Sequence, residues 1–423
     1  MRLPLLFSRL PRRARIAPAA TVTTIGPGEV HPGDVGIDPA IVDTIWRGVT
    51  DLYNTGLQPA MSMCIRYRHR LLIHRAIGHR SGAAPDDPLD APRIQATPDT
   101  LFNLFSASKM VLAMLVHLLD DRGLLHLDDP VEEYLPAFGQ NGKHGITLRH
   151  LLSHRAGIPA VTGAPVDLDL IDHPEEILDR IYRAAPMSMA GRQLAYHALT
   201  SGFVLAEVCR VVDGRDLRTL LDEEVRRPLG FTSFGYGVPA ERLPEVAVDT
   251  FTGPLPRSPM KDQLERSLGV TLQEAVRVAR DPRFLTGVVP AGNVIGTADE
   301  CCRFMELLLR GGELDGVRVF THRTVRRATA EQNYREIDRT LMLPVRYGLG
   351  FMLGSEHVSF YGPRTPRAFG HLGFTNVLLW ADPERELSVA FLNSGKPFLT
   401  PELIAWLDIV RVIGASIPRQ VLS

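Results

Sequence analysis

The chain has little lysine, little cysteine and no long apolar run, and each shortage narrows what it can be. Only four of its 47 basic residues are Lys (Lys109, Lys143, Lys261 and Lys396), and 47 basic against 48 acidic side chains leave a net charge of −1. Without a basic excess there is no global field to gather nucleic acid or anionic lipid, so no nucleic-acid partner is expected. The arginine skew reads as genome composition, but against it each of the four Lys stands out as a candidate for a specific role. Four cysteines (Cys64, Cys209, Cys301, Cys302) are too few for a disulfide scaffold, and the adjacent Cys301 and Cys302 would bridge only with strain. Four reduced, buried thiols are expected. Nothing approaches the roughly 18 consecutive apolar residues of a bilayer span, so no stable membrane insertion is expected. G-x-S-x-G is absent, which removes the nucleophile elbow of α/β-hydrolases.

What is present is an ordinary globular composition, with 45% hydrophobic and 22% charged residues in 423. At about 150 residues per domain that fills two or three lobes. The start carries Arg2, Arg9, Arg12, Arg13 and Arg15 with no acid before Glu29, and its apolar run over 3–7 is shorter than a signal-peptide core. A flexible basic arm over residues 1–35 of a cytoplasmic protein is expected. No sequence feature specifies an oligomeric state.

Asp38-Pro39 then opens a helix, Asp as N-cap and Pro as first residue, with Ile41, Ile45, Val49 and Leu52 at helical spacing. Residues 61–78 read as two strands turning near Arg68-His69. The run MVLAMLVHLL over 110–119 is apolar on nearly every side and predicts a central, buried helix. Short helical patterns follow at 148–153, 174–184, 202–212, 217–225 and 272–278. After residue 340 strand patterns return at 345–353, 357–362, 376–381 and 387–393, the last two flanking the turn ADPERE, before a closing helix over 401–414. The expected fold is α+β, an α/β sandwich. One antiparallel sheet is built from both chain ends (36–104 and 291–423) and flanked by helices, with a mostly helical lobe (105–290) inserted.

Chemistry centres on Ser106-Ala107-Ser108-Lys109, at the mouth of the apolar helix. Ser and Lys three apart share one helix face, with Cβ atoms about 5–6 Å apart. A Ser at a helix N-terminus feels the positive end of the dipole, and a Lys among Met110 and Val111 loses proton affinity and becomes a base or electrostatic partner. S-x-x-K is short and occurs twice. Ser258-Pro259-Met260-Lys261 lies in a Pro-rich stretch with no apolar helix after it and reads as a chance loop. Tyr196 leads into the apolar pattern of Phe203, Val204 and Val208 and is the candidate acid–base partner, although a Tyr of this kind is more often a core residue. Beside a cationic Lys its pKa of about 10 is expected to fall. In Gly370-His371-Leu372-Gly373-Phe374 the glycines let the backbone approach a ligand, and an N–H there can join the Ser106 N–H in an oxyanion hole. His150 and His154 have a spacing that can hold metal, but no Glu follows as in H-E-x-x-H, and no metal is expected. The turns at Gly26-Pro27-Gly28 and Gly311-Gly312 open no phosphate-binding loop.

Together these sites resemble the serine β-lactamase and penicillin-binding-protein superfamily, and within it the class C β-lactamase-like branch, closest to family VIII carboxylesterases. The resemblance spans most of the chain and includes ITLRHLLSHRAGIP (146–159), RRPLGFTSFGYG (226–237) and GNVIGTADECCRFMELLLRGGELDGVRV (292–319). It implies Ser106 as the acylated nucleophile, Lys109 as its activator, and Tyr196 as the shuttle of the Ser proton to the leaving group. His371 stands where β-lactamases carry the Lys of Lys-Thr-Gly, and Gly373 and Phe374 fall at the oxyanion hole, Phe374 giving the N–H. No cofactor is implied. Two departures push one way: Ala198 replaces the Asn of Tyr-x-Asn that holds a lactam or peptide amide, and His371 replaces a carboxylate-binding Lys. The implied activity is a serine carboxylesterase for short- to medium-chain esters, its partner a small-molecule ester. Acyl transfer to an alcohol, β-lactamase or D-amino-acid peptidase activity, and a catalytically silent binding protein are the alternatives. The last is disfavoured because a retired site has no physical need of a buried Lys.

Overall fold

Strands covered on both faces read as nearly continuous apolar runs, and the two ends of this chain read that way. In the computed structural model, which describes residues 12–160, 168–254, 259–334, 336–398, 400 and 403–420, those runs form one sheet. Its strands are Thr23–Ile25 (β1), Ala60–Tyr67 (β2), Arg70–Ser81 (β3), Arg346–Tyr347 (β4), Met352–Leu353 (β5), Phe369–Gly373 (β6), Val377–Asp382 (β7) and Leu387–Asn393 (β8). The order is β1-β3-β2-β8-β7-β6-β5-β4, with every neighbouring pair antiparallel. The two chain ends meet where β2 pairs with β8, Met61 facing Asn393. The expected α+β sandwich, with its sheet drawn from both ends, is the observed architecture.

Alternation sorts the side chains. Met61, Met63, Ile65, Val389 and Phe391 pack under Pro39–Asn54 (α1) and Leu403–Ser416 (α5), whereas Ala60, Cys64, Ala390 and Leu392 join the core that contains Ser108–Asp121 (α2) and Ala298–Leu309 (α4). The smaller residues on this second face let α4 lie close. Cys302 Sγ donates to Ser388 O at 3.3 Å, so the Cys301-Cys302 pair serves helix-on-sheet packing, and all four cysteines are free, buried thiols. Asp38 caps α1 through Ala40 N at 2.9 Å with Pro39 as first residue. Arg68 and His69 turn between β2 and β3 with φ of 48° and 63°, the left-handed pair of a tight hairpin.

Three expectations need correction. Residues 12–35 are packed rather than loose: β1 covers the edge of β3, and the Glu29 carboxylate accepts from His74 N and from Arg75. Residues 1–11 lie outside the described residues. Residues 357–362 form no strand, because Ser355 and Ser359 hydroxyls bond to nearby backbone at Val358 and Tyr361 and compete with a ladder. Lys261 is not in a loop. It lies in the helix Pro259–Leu268, paired with Glu265 one turn on, while Ser258 is outside the described residues. Among the described residues no helix is long and apolar enough to cross a membrane.

Candidate active site

Ser106 sits in the short 3-10 turn Phe105–Ala107 that leads into α2, rather than on the helix itself. The turn is fixed from several sides. Leu104 N donates to Val294 O, Val294 N to Ser108 Oγ at 2.9 Å, and Phe105 N to Asn103 Oδ1. Phe105 is buried with φ of 48°, a conformation an L-residue holds only when its surroundings impose it.

Lys109 is 6% exposed, with Nζ 3.1 Å from Ser106 Oγ and 3.3 Å from Ala291 O. Burial without a carboxylate partner lowers its pKa from 10.5 to about 7. Near neutrality it is therefore neutral a good part of the time and has a lone pair for the Ser proton. Tyr196 comes to the same oxygen from the segment before Thr200–Asp213 (α3), its hydroxyl hydrogen-bonded to Ser106 and its ring centroid 4.9 Å from Lys109 Nζ. The expected fall in the Tyr196 pKa is reversed. Desolvation raises it well above the ordinary value, because the same burial that neutralises Lys109 disfavours the phenolate, and the Asp338 carboxylate adds to the rise. The site thus holds a basic amine and a protonated phenol on one hydroxyl.

His371 lies within β6, its ring centroid 6.2 Å from that of Tyr196. Its Nδ1 donates to Leu372 O at 2.7 Å, leaving Nε2 as an acceptor, and burial together with Lys109 lowers its pKa to about 3. The imidazole is neutral across the working range of pH. Gly373 passes so close to the nucleophile turn that a Cβ there would meet Leu104 O at 2.1 Å. Phe374 follows with φ of 49° and stacks its ring at 5.2 Å on Phe105. All the residues singled out from the sequence gather here.

Sequence reasoning missed the support around Tyr196. Asp338 Oδ1 accepts from Tyr196 N at 3.1 Å and Oδ2 from the Tyr347 hydroxyl at 3.0 Å. His154 lies 4.7 Å from the Tyr196 ring and accepts His197 N at Nδ1, while His150 turns back to cap its own helix at Thr147. The His154 of the candidate metal spacing thus serves the tyrosine, with its pKa well below the ordinary value through burial. Only the local LAYHAL stretch hinted at His197. Nothing in the sequence tied Asp338 or Tyr347 to it.

The β-lactamase family model matches residues 49–411. The chain belongs to the β-lactamase family. It is 32% identical over 302 residues to the esterase/beta-lactamase LipL of Mycobacterium tuberculosis, covering 69% of this chain and 68% of that protein. Among solved structures it resembles a penicillin-binding protein homolog from Caulobacter crescentus (25% identity, TM-score 0.77, 90% of this chain and 99% of the other). It also resembles a family VIII carboxylesterase (24% identity, TM-score 0.74, 89% and 98%), a likeness of fold. In this family the chain is a serine hydrolase.

Proposed function

We propose that the protein hydrolyses small, uncharged carboxylic esters of short to medium acyl length through an acyl-Ser106 intermediate. One observation carries this reading: a buried amine with a pKa near 7 and a protonated phenol both reach Ser106 Oγ. Neutral Lys109 takes the hydroxyl proton as Oγ bonds to the ester carbon, and the carbonyl π pair moves onto oxygen. The N–H groups of Ser106 and Phe374 stabilise that oxyanion. As the C–O bond to the alcohol breaks, Tyr196 protonates the departing oxygen and regains a proton from Lys109. Water then repeats the sequence on the acyl-enzyme, returning the acid and free Ser106.

Preference for uncharged esters follows from two side chains. Neutral His371 offers a substrate carboxylate no charge, and Ala198 has no amide to hold a lactam or peptide. The esterase name of the 32% identical relative points the same way. Placement in the cytoplasm rests on four free thiols, which suit a reducing compartment. Ser106→Ala should lower p-nitrophenyl ester turnover by ~10³-fold or more, and a fluorophosphonate should label Ser106 in the wild-type chain. Ordinary turnover in Ser106→Ala would overturn the assignment, and nitrocefin turnover equal to ester turnover would replace ester with lactam specificity.

A further inference from the structure

Behind the nucleophile turn lies a buried ion pair that the mechanism above does not use. Lys396 is fully buried just past β8, and its Nζ is 3.1 Å from Asp249 Oδ1, itself 4% exposed, and donates to Asn393 O. A buried ammonium is costly unless every donor finds a partner, and the third partner here is an aromatic face. Nζ stands 4.8 Å from the centroid of the Phe105 ring.

That ring belongs to the residue immediately before Ser106 and touches the Phe374 ring. Both phenylalanines have left-handed backbone, at φ of 48° and 49°. Each sets the direction of one candidate oxyanion donor, since Phe105 fixes the peptide that carries the Ser106 N–H and Phe374 carries its own. The platform below is tied down. Thr250 N donates to Ser394 O and Lys396 N to Thr250 O, so residues 249–250 and 394–396 move as one. Gly395 lies against Leu57 O with no room for a side chain. On the other flank Asn376, two residues after Phe374, donates to Gly395 O and accepts from Asn393 and Trp406.

We propose that Lys396, held by Asp249, is a positioning residue for the oxyanion hole: its ammonium grips the Phe105 ring and, through it, the Phe374 ring, aiming two strained backbone N–H groups at one point. This rests on the ester-hydrolase reading of the site. The effect belongs to the transition state, because the oxyanion is formed only there, so it is expected in kcat rather than KM.

The test uses the full chain with p-nitrophenyl butyrate and an alkyl boronic acid that forms a tetrahedral adduct on Ser106. Lys396→Met leaves Asp249 buried and unpaired, so the double variant Lys396→Met/Asp249→Asn, which removes both charges at nearly constant volume, carries the comparison. Misaimed donors should lower kcat by about 10- to 100-fold and weaken the boronate by a similar factor, with KM within about twofold. Phe105→Leu, which keeps the ion pair and removes the ring, should show the same split. Wild-type kcat and boronate affinity in either folded variant would overturn the proposal, as would a loss confined to KM. A wild-type chain that neither turns over the ester nor binds boronate overturns the ester reading instead.

Discussion

At Lys109, burial and chemistry pull the same way. The pKa in the folded chain is about 7, against 10.5 for the free side chain, through desolvation. Below pH 7 both folded and unfolded chains carry the proton, and the fold bears the cost of a buried charge. Between about 7 and 10.5 the unfolded chain binds more protons than the folded one, so this residue's contribution to stability rises with pH across that window. Activity should follow the neutral amine: kcat/KM for an ester should climb with an apparent pKa near 7 and then level off. Lys109→Met should abolish that climb along with most of the activity, and by thermal melts at pH 6 it should be more stable than the wild type. A flat wild-type profile between pH 6 and 8 would remove Lys109 as the base. The Lys itself was legible in the sequence, because three-residue spacing and an apolar run are local facts. The protonation of Tyr196 was not. Its pKa depends on desolvation and on Asp338, which arrives from 142 residues away.

At the scale of the element, β6 is a strand shaped by what it must approach. A Cβ on Gly373 would stand 2.1 Å from Leu104 O and 3.0 Å from the Val377 Cβ. Backbone on one side and a paired strand on the other cannot both retreat. Gly373→Ala should therefore cost about 1–3 kcal/mol in chemical denaturation, by overpacking. It should also lower kcat, because any retreat carries Phe374 away from Ser106. Wild-type stability with wild-type kcat would show that the strand has slack which the structure does not. The glycines of GHLGF were readable as a close approach, although what they approach, the turn just before Ser106, is supplied only by the fold. The error at residues 357–362 has the opposite origin. HVSFYG has strand composition, but its serine hydroxyls satisfy the backbone locally, and the place beside β5 goes to β6 instead. Lys396 was illegible for a related reason: it follows a strand in irregular chain, and only the packed fold sets it against Phe105.

At the scale of the whole molecule, the helices between the two sheet-forming ends do not have a core of their own. Leu112 and Leu115 of α2, Val204 and Val208 of α3, and Leu220 share one apolar cluster with Cys64, Ala76 and Ala390 of the sheet. The opposite cluster, under α1 and α5, takes in Leu194, Tyr196 and Ala198 from the inserted segment. Neither part can lose its packing without exposing the other's, so unfolding should be a single cooperative transition. The placement of tryptophan makes this measurable. The three Trp residues are Trp46 on α1, Trp380 on β7 and Trp406 on α5, all on the sheet side of the molecule. Intrinsic fluorescence reports the sheet and its two covering helices, while far-UV circular dichroism also registers α2, α3 and the other helices of the insertion. Urea titrations followed by the two signals should superimpose, with one midpoint and one slope. A dichroism transition preceding the fluorescence change would mean that the inserted helices unfold while the sheet stands. Tyr196, carried by that insertion, would then leave Ser106 before the protein as a whole had melted.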